Sequence, residues 1–179
     1  MTPAHHPLFE ICQEQLHDHP AINSLHEAVF GPGRFARTAF RVREACDADP
    51  RFCLTAWHAG GLIGSVRLTP IRIGDRSAYL LGPLCVRPEW QGLGVGKGLV
   101  RQVCEDVGRL DPRPVVLVGD KPYYGPLGFE TIAKGVIMPG PVDPGRLLIA
   151  WPGDLTQTDC QGVVRAAPED LQSLYPRKL

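Results

Sequence analysis

The segment AYLLGPLCV at residues 78–86, followed after four residues by QGLGVGKG at 91–98, decides the fold of this chain. The first segment is an almost continuous apolar run, which is typical of a β-strand buried on both faces. Gly82-Pro83 interrupts the run, and because proline has no amide hydrogen to donate, we expect a bulge or a local loss of pairing there. The second segment concentrates glycines directly between this strand and a helical pattern.

The residues after the glycines predict a helix and then a second buried strand. Apolar side chains recur every four positions from Val95 to Val107, as on one face of an amphipathic helix, which we expect to run from about Gly92 to Leu110. Asp111-Pro112 ends the pattern, and Val115 to Val118 is a short apolar run. Strand, helix and strand in this order are typical of a parallel crossover unit.

The rest of the chain predicts strands and helices on both sides of this unit. We predict an α/β (α+β) fold, a mixed central sheet of about six or seven strands flanked by about four helices. Tight-turn residues at Ala59-Gly60-Gly61 predict a hairpin between two of the strands. The further strands are expected at 8–14, 52–58, 62–68, 132–138 and 147–151, and the further helices at 21–30 and 34–45.

Length and composition limit the classes of protein. The 179 residues predict a single domain with its core at about 7–151, and a C-terminal tail at 152–179 in which Gly162 to Ala166 could add a strand. A formal net charge of zero argues against nucleic-acid partners, and no apolar run is long enough for a membrane span. Six cysteines without a C-x-x-C pair predict reduced thiols and a cytoplasmic protein, and the histidines lack metal-site spacing.

The glycine cluster indicates an anion site. Amide groups at the start of a helix attract phosphates, and the helix dipole adds to this attraction. The dinucleotide motif G-x-G-x-x-G is excluded because Lys97 or Leu99 stands where its last glycine is required. The P-loop motif is excluded by Gln91 and Gly98. A glycine-rich turn that binds no ligand is the alternative.

Two segments carry a resemblance to a known family. Gln91-x-x-Gly94-x-Gly96 resembles the acetyl-CoA signature of the GCN5-related N-acetyltransferases (the GNAT family), Gln/Arg-x-x-Gly-x-Gly/Ala. The segment YYGPLGF at 123–129 is similar to that family's Tyr-x-x-x-Gly-Phe element after the fifth strand. Together with LVGD at 117–120, it is most similar to the YhbS-like branch, and the order of elements matches over about 20–150.

The resemblance implies the GNAT fold and a donor substrate. Family members hold acetyl-CoA in a wedge where parallel strands four and five splay apart, here 78–86 and 115–118. Free amides on a splayed strand can also stabilise a developing oxyanion. By analogy, Leu84 and Val86 would bind the pantetheine arm, and the glycine turn would bind the pyrophosphate. The implied acetyl-CoA residues are Leu84, Cys85, Val86, Gln91, Gly92, Leu93, Gly94, Val95, Gly96, Lys97 and Tyr124, with no metal.

Acetyl transfer to an amine also requires a proton donor. The departing thiolate needs an acid whose pKa is at or above the ~8.5 of a thiol, and a tyrosine near ~10 is suitable. Tyr124 occupies the family's acid position, so the predicted catalytic residues are Tyr124 and Leu84. The alternative for Tyr124 is a core aromatic residue with a satisfied hydroxyl.

The sequence offers no clear general base. A primary amine with a pKa near ~10 must lose a proton before it attacks, yet the segment 78–86 contains no carboxylate. His26, Glu27 and Glu44 lie in predicted helices that cover the acceptor pocket in the family, although each also fits a solvated surface position and water could serve instead. By the resemblance, the acceptor-binding residues are Glu27, Phe30 and Arg34.

The sequence therefore predicts an acetyl-CoA-dependent N-acetyltransferase. It would acetylate the primary amine of a small molecule by direct attack in a ternary complex, as a monomer or homodimer, without nucleic-acid or membrane partners. A catalytically silent acetyl-CoA-binding sensor and a protein or peptide N-acetyltransferase are the alternatives.

Overall fold

The computed structural model describes residues 8–31, 38–132, 135–154 and 160–174. The strands of this part of the chain form a nine-stranded sheet in the order β1-β2-β3-β4-β5-β8-β6, with β9 paired to both β3 and β7. The sequence predicted about six or seven strands, so the sheet has more strands than expected. The two shortest strands, β6 and β7, are not distinguished by the sequence pattern. The strands are β1 Glu10–Gln13, β2 Cys53–His58, β3 Gly61–Ile73, β4 Arg76–Val86, β5 Val115–Val118, β6 Glu130–Thr131, β7 Val136–Ile137, β8 Leu147–Ala150 and β9 Gly162–Ala166.

Five α-helices flank the sheet within the described residues. The long helix α3 begins at Val95 and not at Gly92, because Gly92 (φ 79°) and Gly94 (φ 88°) adopt a left-handed backbone that cannot belong to a helix. The predicted helix at 34–45 is described only from Thr38. The helices are α1 His19–Phe30, α2 Thr38–Glu44, α3 Val95–Leu110, α4 Lys121–Tyr124 and α5 Pro168–Leu174.

The helices bury opposite faces of the sheet. The apolar stripe of α3, which includes Leu99 and Val103, packs into a core with Leu68 and Leu117. Ile22 and Leu25 of α1 pack with Cys85 on the other face of β4. Because side chains alternate along a strand, β4 contributes to the cores on both faces of the sheet, and this explains the continuous apolar run at 78–86.

β4 contains the expected bulge at Gly82-Pro83. Leu81 pairs with Leu68 of β3, and Leu84 pairs with Val66, so two residues of β4 oppose the single residue Arg67. This is the two-against-one arrangement of a β-bulge. The bulge separates the half of β4 that pairs with β5 from the half that ends at the glycine turn.

The tail contributes β9 and α5, and carboxylates of α5 pair with arginines at the sheet. β9 pairs antiparallel with β3, for example Arg165 with Arg72. Asp170 of α5 accepts hydrogen bonds from Arg72 (3.0 Å) and from Arg113, which precedes β5. The strand suggested for Gly162 to Ala166 is therefore present.

A buried polar network closes the end of the sheet opposite the glycine turn. The hydroxyl of Tyr79 on β4 donates at 2.9 Å to Asp111, beyond α3, and lies 3.2 Å from Asp49. Arg51 donates to both carboxylates, at 2.7 Å and 3.0 Å. Burial alone would raise the pKa of Asp111, but its bond from Tyr79 and the charges of Arg113 and Arg51 hold that pKa below its ordinary value. The network thus joins α3 to β4 at the point where β5 begins.

We expect Tyr79→Phe to lower the free energy of unfolding at pH 7 by about 2 kcal/mol, because buried carboxylates would lose a donor. Urea denaturation measures this change. Tyr123→Phe is the matched control, since the hydroxyl of Tyr123 makes no hydrogen bond to a described residue. Because the pKa of Asp111 is depressed, its contribution is present above pH ~4 and is lost as the pH falls further. Equal stability of the two variants at pH 7 would contradict this account.

Candidate functional site

β4 and β5 are paired over only two residue pairs. Tyr79 pairs with Val115 and Leu80 with Val116, and β4 then continues to Val86 without β5 beside it. The amide of Arg87 donates to Ile63 of β3 at 2.9 Å. Since successive amides of a strand point to opposite edges, those of Val86 and Leu84 point away from β3, toward the gap. The two strands therefore splay apart and leave backbone donors at the opening.

The turn after β4 presents further backbone donors. Gly94 is the N-cap of α3 and has a left-handed backbone. An added Cβ at Gly92 or Gly94 would meet no atom within 4 Å, so the turn is open on its outer side. The amides of the first turn of α3, including those of Gly96 and Lys97, have no partner within the helix. An open glycine turn with unpaired amides fits the phosphate groups of acetyl-CoA.

The two tyrosines after β5 point to different places. Tyr124 is half-buried and lines a cavity together with Leu84. Its ring packs against Phe129, with ring centroids 5.7 Å apart, and against Gly119, where a Cβ would collide with it. The hydroxyl of Tyr123 lies instead against Gly96 at the start of α3.

The environment of Tyr124 keeps its hydroxyl protonated. Burial, with smaller contributions from Tyr123 and Asp120, raises its pKa to about 12. The hydroxyl makes no hydrogen bond to any residue in the described part of the chain. A Tyr124 side chain that lines the cavity and keeps its phenol protonated has the chemistry that a proton donor requires.

The cavity has a volume of about 870 Å³ and lies between the splayed strands and helices α1 and α2. Its charged lining comprises Arg41, Arg43, Arg67, Arg146, Asp47 and Asp143. Among them, Arg67 pairs with Glu14 at 2.6 Å and Arg146 pairs with Asp120 at 3.1 Å. The resemblance placed Arg41 and Arg43 in a helix at the acceptor pocket, with a solvated helix face as the alternative, whereas nothing in the sequence indicated that Arg67 or Arg146 would reach this cavity.

Some of the predicted acceptor residues and base candidates line the cavity, and others do not. Phe30 and His26 line the cavity, whereas Glu27 is not among its described lining residues. His26 is also bonded through Nε2 to the hydroxyl of the buried Ser65, at 3.2 Å. Arg34 lies outside the described residues, and Glu44 is exposed and does not line the described cavity.

The other predicted acetyl-CoA residues follow β4 and the turn. The Cys85 side chain faces α1, where its thiol approaches the carbonyl of Leu25 at 3.7 Å, and burial raises its pKa to about 12. The Cys85 side chain faces away from the gap, so only the backbone of Cys85 is near the site. The Gln91 side chain donates to the carbonyl of Val86 at 3.3 Å, Leu93 is exposed, and Val95 is buried in the core.

The described residues contain neither a cluster of metal ligands nor a membrane-spanning helix. No group of three or more histidine, cysteine, aspartate or glutamate side chains is placed there to hold a metal ion. Among the same residues, no helix combines the length and the apolar character needed to cross a membrane.

Comparisons with known proteins agree with this geometry. Residues 14–113 match the sequence profile described as the acetyltransferase (GNAT) family. The uncharacterized N-acetyltransferase YjhQ of Escherichia coli strain K12 is 31% identical over 144 residues, which are 77% of this chain and 78% of that protein.

Solved structures are similar over most of the chain. One is the GNAT family N-acetyltransferase YhbS of Escherichia coli in complex with CoA, with a TM-score of 0.71 and 22% identity, covering 96% of this chain and 94% of that one. Another is a GNAT family acetyltransferase of Brucella melitensis in complex with acetyl-CoA, with a TM-score of 0.66 and 25% identity, covering 90% of this chain and 97% of that one.

The contact between Gly96 and Tyr123 gives a prediction for stability. An added Cβ at Gly96 would lie 2.5 Å from the Tyr123 hydroxyl, too close for two unbonded atoms. Without that hydroxyl, the nearest atoms would be at ordinary or slightly tight distances, 3.4 Å to Val86 and 3.7 Å to the tyrosine ring. We expect Gly96→Ala to lower the free energy of unfolding by about 1 kcal/mol more in the wild type than in a Tyr123→Phe background.

A double-mutant cycle from thermal or urea unfolding measures this difference. The control is Gly98→Ala, within α3 and away from Tyr123. Gly92→Ala is a poor control because the backbone of Gly92 is left-handed. Additive effects of Gly96→Ala and Tyr123→Phe would contradict the placement of the hydroxyl.

Proposed function

Because the chain belongs to the acetyltransferase (GNAT) family and is an acyltransferase, we propose that it transfers the acetyl group of acetyl-CoA to the primary amine of a small molecule. The observation that carries the proposal is the end of β4–β5 pairing at Leu80 and Val116, after which β4 continues without β5 toward the open glycine turn. A cavity of about 870 Å³ adjoins this gap, within the range of roughly 300–1,000 Å³ that small-molecule sites occupy. The six cysteines are free thiols, which suits a cytoplasmic enzyme.

The residues divide into those that hold the donor and those that move protons. When bound, acetyl-CoA supplies the acetyl group as a thioester. In this proposal the amides of Leu84 and Val86 hold the pantetheine arm, and that of Leu84 donates to the acetyl oxygen, on which negative charge develops during attack. The amides of the turn, from Gly92 to Lys97, hold the pyrophosphate.

Tyr124 is the proposed acid. The amine nitrogen forms a bond to the acetyl carbon, the carbon–sulfur bond breaks, and the Tyr124 hydroxyl donates a proton to the departing sulfur. A pKa of about 12 means that this hydroxyl keeps its proton at neutral pH. The proton released by the amine must be taken up by another group, after which Tyr124 regains a proton from solvent.

His26 is the proposed base. It lines the same cavity as Leu84 and Tyr124, and Ser65 orients its ring. A neutral imidazole can accept a proton from an amine. Asp47 and Asp143 also line the cavity, but their carboxylates are exposed, and no hydrogen bond among the described residues comparable to that between His26 and Ser65 orients them toward Leu84.

The function is tested by release of free CoA thiol from acetyl-CoA over a panel of small primary amines. We expect the wild type to turn over with part of the panel, and Tyr124→Phe to turn over about a hundredfold more slowly because it lacks the acid. Ionisation of Tyr124 should not reduce turnover between pH 7 and 10, since its raised pKa keeps the proton on the hydroxyl. Wild-type turnover by Tyr124→Phe would refute its role as the acid.

Two other results would favour the alternatives. Tight acetyl-CoA binding without thiol release over the whole panel would indicate a sensor. Release with peptides but with no small amine would indicate a protein or peptide N-acetyltransferase.

We expect His26→Gln to reduce turnover with alkylamines by a factor of ten or more, because these acceptors are protonated at pH 7 and need a base. An arylamine is already neutral at this pH, so its acetylation should fall less. Glutamine can keep a hydrogen bond to Ser65, which limits structural damage, and Glu27→Gln on the same helix is the matched control for removal of an alternative base. An equal loss with both classes of amine would contradict the assignment of His26.

A further inference from the structure

Tyr123 extends its phenol group to the beginning of α3. A Cβ added at Gly96 would lie 2.5 Å from the Tyr123 hydroxyl, so another residue at this position would require that hydroxyl to move. Lys97, the next residue of the helix, places its ammonium group 5.9 Å from the centre of the Tyr123 ring. Two side-chain groups with hydrogen-bond donors therefore lie beside the first turn of the helix.

The Tyr123 hydroxyl makes no hydrogen bond to any residue in the described ranges, although the side chain is half-buried. A half-buried hydroxyl without a partner is unfavourable unless a ligand or solvent completes it. The amides beside it, in the first turn of α3, are also unpaired within the helix. All of these groups are donors and lie at the same end of α3, which suits an anion with several acceptor oxygens.

Its neighbour Tyr124 points elsewhere. Tyr124 lines the large cavity with Leu84, and Tyr123 is not among the described residues of that cavity. The two rings are nearly perpendicular, at 75°, with centroids 4.8 Å apart. Adjacent tyrosines thus face the two ends of the gap between β4 and β5, one toward the thioester position and one toward the glycine turn.

We propose that the Tyr123 hydroxyl binds the pyrophosphate of acetyl-CoA, as a cosubstrate-binding residue that completes the backbone donors of the glycine turn. The proposal rests on the acetyl-CoA site proposed above. Phenylalanine at this position would preserve the packing against Gly96 and Lys97 but would provide no donor. Tyr123 and Tyr124 then have separable effects, the first on binding of the donor and the second on turnover.

Calorimetric titration with CoA and with dephospho-CoA tests the assignment directly, because both ligands carry the pyrophosphate and only CoA carries the 3′-phosphate. We expect Tyr123→Phe to raise the Kd for both ligands about tenfold, which corresponds to about 1.4 kcal/mol. With S-acetylpantetheine, which has no pyrophosphate, kcat/KM of this variant should equal that of the wild type. Tyr124→Phe is the comparison variant for turnover, which it should lower with acetyl-CoA and with S-acetylpantetheine alike.

Each other outcome overturns the assignment. An unchanged Kd for CoA would make Tyr123 a packing residue. Weaker binding of CoA with normal binding of dephospho-CoA would place the hydroxyl at the 3′-phosphate, and a loss with S-acetylpantetheine would place it at the pantetheine arm. Absence of CoA binding by the wild type would refute the proposed function itself, so the two failures are distinguishable. Equal thermal unfolding temperatures of wild type and Tyr123→Phe verify that the variant is folded.

Discussion

The limit on pairing between β4 and β5 is the constraint on which the rest of the site depends. Only Tyr79 and Leu80 pair with β5, and beyond them the bulge at Gly82-Pro83 redirects β4 while β3 continues beside it. If pairing continued to Val86, the amides of Leu84 and Val86 would be used in the sheet and the gap would be closed. The polar network around Tyr79 fixes the paired end, so the strands are held together at one end and open at the other.

The positions of α3 and of the segment after β5 follow from this gap. α3 begins at Val95, after the turn that follows β4, and its first amides lie beside the opening because the left-handed Gly94 turns the chain into the helix there. The segment after β5 enters from the other side and brings Tyr123 and Tyr124, which differ by one position and face the two ends of the gap. We propose that this divides donor binding from proton transfer between neighbouring residues.

Much of the fold could be predicted from the sequence because it depends on local patterns. The apolar run at 78–86, the four-residue repeat in α3 and the turn at Ala59-Gly60-Gly61 each determine their own element, and the GNAT fold with its parallel β4–β5 pair is confirmed. The start of α3 was misplaced by three residues because the pattern of apolar residues does not reveal the left-handed backbone of Gly92 and Gly94. The site was less accessible to prediction, since the approach of Tyr123 to Gly96 and of His26 to Ser65 joins elements distant in sequence. No spacing rule indicates such contacts.

The most direct test of the central claim is an amide chemical-shift titration of the ¹⁵N-labelled protein with CoA. The account predicts that the amide protons of Leu84, Val86, Gly94 and Gly96 shift strongly. Because the amide of Cys85 points to β3, it should shift much less than its two neighbours, giving an alternating pattern along the end of β4. A shift of Cys85 as large as those of Leu84 and Val86, or strong shifts confined to β1 and β2, would contradict the claim that the open edge of β4 holds the donor.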